Sequence, residues 1–138
     1  MNTKLLHPDA IIPPRSTPGA SGYDLHSITY QIIPPHSIAV IPTGIALEMP
    51  FGVEAQVRPR SGLSAKSGIV AILGTIDSDY RGEISVILHN ATAYTFYVYK
   101  GTRIAQLVFA NVCLPELIQV ESLDETTRAT NGFGSTGA

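Results

Sequence analysis

One stretch of this 138-residue chain sets several reactive groups close together: Gly74-Thr75-Ile76-Asp77-Ser78-Asp79-Tyr80-Arg81-Gly82. A carboxylate there can orient and deprotonate a water. A guanidinium can neutralise phosphate oxygens, and a phenol ring offers a flat wall. A second stretch, Arg128-Ala129-Thr130-Asn131-Gly132-Phe133-Gly134-Ser135-Thr136-Gly137, adds another arginine and ring to small residues whose main-chain N–H groups suit an anion. Together the two point to a phosphate-bearing ligand with a flat ring. Each alone has an ordinary explanation, since hairpin tips use Asp and Ser for local backbone bonds and Gly/Ser-rich termini fray.

The elements that must hold these groups read as short strands punctuated by Pro and Gly. Apolar, β-favouring runs cover residues 28–33, 38–41, 45–49, 53–58, 84–88, 94–99 and 103–109. Pro34-Pro35, Pro42-Thr43-Gly44, Pro50-Phe51-Gly52 and Lys100-Gly101 interrupt them. Ten prolines argue against long helices, and the best helical candidate is one or two turns within residues 61–66. The expectation is an all-β sandwich or barrel over residues 1–123. Near Asp124 the periodic pattern gives way to small and polar residues, so residues 124–138 read as an extended arm.

Composition narrows the function. A chain with 44% hydrophobic residues is long enough for one core of its own. The net charge of −2, with 14% charged residues and no basic stripe, argues against gripping nucleic acid. His7, His26, His36 and His89 are scattered without metal-ligand spacing. The single cysteine, Cys113, permits no internal disulfide and is expected to be a small buried residue. No apolar run is long enough for a membrane span, and the N-terminus does not resemble a signal peptide. A cytoplasmic setting is expected, with nuclear and virion-associated settings left open.

Five ordered segments carry a resemblance. Ser21-Gly22-Tyr23-Asp24-Leu25, Arg60-Ser61-Gly62-Leu63, residues 74–82, Gly101-Thr102-Arg103-Ile104-Ala105-Gln106-Leu107, and Arg128 with Gly132-Phe133-Gly134-Ser135-Thr136-Gly137 resemble the motifs of trimeric dUTPases. The resemblance implies a distorted jelly-roll β-barrel with a flexible C-terminal arm, assembled as a homotrimer. It implies hydrolysis of dUTP to dUMP and pyrophosphate with Mg²⁺, in sites shared between subunits. The sequence departs from the usual pattern at Ser21, Val70, Ile72, Ala129 and Asn131, which bears on base specificity and arm stiffness more than on the chemistry.

The same resemblance assigns roles. Asp77 corresponds to the carboxylate that orients and deprotonates the water attacking the α-phosphorus, and Asp79 to a supporting acid. The ring of Tyr80 lies under the deoxyribose and leaves no room for a 2′-hydroxyl. The main chain of Gly74, Thr75 and Ile76 reads the uracil edge. Arg60, Ser61, Gly62 and Gln106 meet the phosphates, and Asp24 reaches the metal through water. From the arm, Phe133 stacks on uracil, Arg128 reaches the γ-phosphate, and Gly134, Ser135 and Thr136 supply further donors. Read without the resemblance, Asp24, Asp77 and Asp79 are turn residues and Tyr80 is a strand-edge ring. Arg60 is then a solvated cation before a serine N-cap, and Gln106 a strand residue bonded to backbone. A dCTP deaminase and a non-catalytic binding module are the competing functions. The deaminase reading is weakened by Gly62 after Ser61 and by Glu83 as the only acid beside the hairpin.

Overall fold

The computed structural model describes residues 1–132. Twelve elements are present: β1 (Asn2–Leu5), β2 (Tyr23–His26), β3 (Gln31–Ile33), β4 (Ile38–Pro42), β5 (Ile45–Glu48), β6 (Val53–Arg58), α1 (Ser61–Ser67), β7 (Ile69–Ala71), β8 (Gly74–Ile76), β9 (Ser85–Asn90), β10 (Phe96–Val98) and β11 (Arg103–Asn111). The chain is mostly β with one short helix, as the proline content and strand pattern predict. The strands pair as β2-β11-β6-β8, β4-β9-β7, β1-β5 and β10-β3. Leu25, Ile41, Ile45, Val57, Ile84, Leu88, Ile104 and Leu107, drawn from several of these sheets, join one buried apolar cluster.

Alternation explains the central strands. In β6 the apolar Ala55 and Val57 point into the core, while Glu54, Gln56 and Arg58 share the other face. Those three form a chain of side-chain bonds: Gln56 Nε2 donates to Glu54, and Arg58 Nε donates to Gln56 Oε1 at 2.8 Å. The helix begins after Arg60, which stands in the cap position without a side-chain cap bond. It ends at Gly68, whose φ of 62° and N–H bond to the Ser64 carbonyl make a left-handed stop.

Three expectations change. Residues 28–33 do not form one strand, because the Ser27 hydroxyl captures the local backbone, accepting from Thr29 N–H at 3.1 Å and donating to the Thr29 carbonyl at 2.8 Å. Only Gln31–Ile33 pairs. The hairpin around residues 69–88 splits: β7 pairs with β9, the last bond being Ile72 N–H to the Ile87 carbonyl at 2.8 Å, after which β8 leaves to pair with β6. Cys113 is exposed rather than buried, since it lies beyond the last strand. From Cys113 to Gly132 the chain has no strand or helix and is exposed throughout. No helix among the described residues is long and apolar enough to cross a membrane.

Asn90, fully buried at the end of β9, ties three segments together. Its Nδ2 faces the carbonyls of Ile33, Pro34 and Tyr94 at 3.0, 3.1 and 2.8 Å, and its Oδ1 accepts from Thr92 N–H at 3.0 Å. Asn90→Ala leaves these carbonyls, that of Ile33 buried among them, without their donor and is expected to cost roughly 2–3 kcal/mol. Urea unfolding should show this as a lower midpoint at unchanged slope.

Candidate active site

Asp24 lies in β2, only 8% exposed, and a charge so placed needs partners. Arg60 Nε stands 3.0 Å from its Oδ1, and Arg103 Nη1 stands 3.3 Å from its Oδ2. The Ser16 hydroxyl donates to Oδ2 at 3.0 Å. Arg60 also donates to the Arg103 carbonyl at 3.1 Å, so the two arginines are held together from both sides. A register shift between Arg103 and Ala105 in the β11–β2 ladder brings Arg103 beside this carboxylate.

Gln106 is the cross-strand neighbour of Asp24 on one side and of Arg58 on the other. Its Nε2 donates to the Pro59 carbonyl at 2.9 Å. It lies across Gly22, where a Cβ would fall 2.1 Å from Gln106 Oε1. Arg60, Ser61, Gly62, Gln106 and Asp24 therefore gather at one end of the β2-β11-β6 ladder. The first-turn N–H groups of α1 have no partner within the helix.

His26, the cross-strand partner of Arg103, has its Nδ1 buried with no hydrogen-bond partner among the described residues. Burial lowers its pKa below 6.5; Asp24 opposes that shift, and Arg103 and Arg60 add to it.

At the other end of β6 the tip of the split hairpin makes a second group. Ile76 pairs with Ala55, so Asp77 stands level with Glu54. The Asp77 side chain is exposed and has no hydrogen-bond or ion-pair partner among the described residues. Beside β8 lies a cleft of about 340 Å³ whose lining includes Thr75, Ile76, Asp77, Tyr80 and Glu83, with Val40 and Ile87 from the neighbouring sheet. As the edge strand of its sheet, β8 turns half of its main-chain groups away from β6. Arg81 is spent on the turn itself, donating to the carbonyls of Ser78 and Tyr80 at 2.7 and 3.1 Å.

The two groups do not meet within one chain. From Glu54 to Arg58 is four strand steps, roughly 13 Å at the strand rise, and Arg60 lies further on. In the arm, Arg128 Nε donates to the Asn131 carbonyl at 3.2 Å, and Ala129 takes a left-handed φ of 45° where the usual glycine would sit more easily. Phe133, Gly134, Ser135 and Thr136 lie outside the described residues.

A family model described as dUTPase matches residues 8–137. The chain belongs to the dUTPase family. It is 52% identical to a deoxyuridine 5′-triphosphate nucleotidohydrolase of Wolinella succinogenes over 134 residues, covering 96% of this chain and 90% of the relative. A protein of the same name from Nautilia profundicola is 50% identical over 139 residues, covering 99% and 98%. Among solved structures, a mutant dUTPase of Staphylococcus bacteriophage 80alpha with dUpNHpp superposes with a TM-score of 0.95 at 30% identity, covering 99% and 98%. A mutant dUTPase of phage phi11 of S. aureus, which coordinates a structural Mg(II) ion, superposes with a TM-score of 0.85 at 27% identity, covering 90% and 98%.

For a member of the dUTPase family, the donor set suits an ion held chiefly by a polyphosphate. No group of three or more His, Cys, Asp or Glu able to hold a metal occurs among the described residues. The one carboxylate in the arginine group, Asp24, fits a contact made through water. Ser16 lies outside the five motif segments, and Arg103 lies within one of them with no role assigned by the resemblance. The only available signal was Arg103 itself, a charged residue opening an otherwise apolar strand.

Asp24→Asn keeps the shape but leaves Arg60 and Arg103 facing each other without a counter-charge. The expected cost is roughly 1–3 kcal/mol, tempered by the exposure of Arg103. The deficit measured by urea unfolding should shrink in high salt, which screens the repulsion; a salt-independent deficit would mean the carboxylate matters for packing only.

Proposed function

We propose that this protein hydrolyses dUTP to dUMP and pyrophosphate in sites assembled between the subunits of a homotrimer of distorted jelly-roll barrels. Membership of the dUTPase family supports the reaction, and the names of its relatives specify the substrate. The observation that carries the shared site is the position of Asp77 and of the arginine group at opposite ends of β6. A single nucleotide bridges them only if one end comes from each of two chains. An exposed apolar surface also calls for cover by other copies: Leu117, Ile118 and Leu123 in the extended segment.

In this reading the uracil edge bonds the free main-chain groups of Gly74, Thr75 and Ile76, a pattern that rejects the exocyclic amine of cytosine. The ring of Tyr80 closes the space a 2′-hydroxyl needs. Asp77 holds the attacking water and takes its proton as the water adds in line at the α-phosphorus and pyrophosphate departs. Arg60, Ser61, Gly62 and Gln106 face the phosphates, and the guanidinium of Arg60 exchanges Asp24 for phosphate oxygens. Bound Mg²⁺ would neutralise phosphate charge, with Asp24 contacting it through water. From a further copy, residues 124–138 close over the ligand. Phe133 covers the base, while Arg128, Gly134, Ser135 and Thr136 donate to phosphates and exclude water.

Asp77→Asn should leave nucleotide binding in place and lower turnover by roughly two or more orders of magnitude, the usual worth of a positioned base. Near-normal pyrophosphate release would assign the water to another group.

Deleting residues 127–138 removes no strand of the core. Sedimentation should still report three chains per particle, while dUTP turnover is lost and affinity for a non-hydrolysable analogue falls less. A fully active truncated protein, or a fully active monomer, would overturn the shared-site reading.

A further inference from the structure

The return leg of the hairpin tip is fastened to the corner between β4 and β5. Gly44 N–H donates to Glu83 Oε1 at 2.7 Å, the buried Thr43 hydroxyl donates to the Ile84 carbonyl at 2.5 Å, and Ile84 N–H donates to the Ile45 carbonyl at 2.9 Å. The corner itself has little freedom to change. Gly44 sits at φ +69°, and a Cβ there would fall 2.8 Å from that of Ala10. Its N–H is therefore held at a fixed point in front of Glu83.

The same leg carries the ring of Tyr80. The phenol O–H donates to the main-chain carbonyl of Glu83 at 3.2 Å, and the ring rests on Gly82, where a Cβ would meet the phenol oxygen at 2.3 Å. Otherwise the ring is 45% exposed. Glu83 thus grips the core corner with its side chain and the ring with its backbone. Its carboxylate makes no ion pair among the described residues. The bond to Gly44 requires an acceptor at the right reach and does not require a charge.

We propose that Glu83 is a positioning residue that sets the ring of Tyr80 and, through it, determines which sugar the cleft accepts. This rests on the reading of Tyr80 as the sugar wall. Exclusion by a wall depends on its standing within a fraction of an ångström of contact, so a carbonyl anchor that shifts lets the ring retreat and admits the 2′-hydroxyl.

The test measures kcat/KM for dUTP and for UTP in the wild type and in Glu83→Ala, Glu83→Asp, Glu83→Gln, Tyr80→Ala and the Glu83→Ala/Tyr80→Ala pair. Glu83→Ala should lower the dUTP-over-UTP ratio by about tenfold, within the range that one steric contact supplies. The change should come from a rise for UTP, whereas a merely structural defect lowers both substrates together. Glu83→Asp, one methylene shorter, should behave like Glu83→Ala, and serves if the alanine variant does not fold. Glu83→Gln keeps the acceptor and should keep the ratio. The double variant should lose no more discrimination than Tyr80→Ala alone. If Tyr80→Ala lowers the ratio and neither Glu83→Ala nor Glu83→Asp does, the inference about Glu83 is wrong and the sugar wall stands. An unchanged ratio in Tyr80→Ala removes the wall, and the inference with it. Loss of discrimination in Glu83→Gln overturns the positioning role in favour of a direct action of the carboxylate.

Discussion

Strand β6 is hydrogen-bonded along both edges, to β11 on one side and to β8 on the other. A strand so held cannot bend enough to bring its ends together, and the groups of interest sit at those ends. Asp77 follows the last paired residue of β8, while Arg60 follows the Arg58 end, level with Gln106 and Asp24. The ladder that makes the subunit rigid also keeps Asp77 away from the arginine group of the same chain, which is why the proposed site draws on two copies.

The two ends differ in electrostatic character. At the arginine end, charge is stored in a compensated form. Asp24 bonds Arg60, Arg103 and Ser16, so the guanidiniums are oriented before any ligand arrives. In the proposed reaction, exchanging one carboxylate for phosphate oxygens would need little reorganisation, the condition under which fixed charges act most strongly. At the hairpin end, Asp77 stands exposed and unpaired among the described residues. The proposed base and the proposed anion-binding group suit opposite surroundings, and the strand separates them.

Much of this was legible in the residues. The alternation in residues 53–58 and the apolar run of residues 103–109 mark the two central strands, and the stop at Gly68 fits the short helix. β1 and β2 escaped notice because Asn2, Thr3 and Lys4 are polar and Gly22 and Asp24 look like turn residues; both become strands by pairing with partners remote in sequence. The splitting of the hairpin was hidden for the same reason, since nothing local distinguishes a bond to β9 from one to β6. Ser16 and Glu83 carry no mark in the sequence, because what sets them apart is whom they touch and not their type.

Gly82 shows what that distinction means for the history of the chain. Its φ lies outside the left-handed region, so the backbone would accept other residues there. What a side chain there would meet is the ring of Tyr80, which occupies the space of a Cβ. Positions 80 and 82 are therefore expected to change together: anything larger than glycine at 82 must push the ring off its seat, and loss of the ring releases position 82 from that contact.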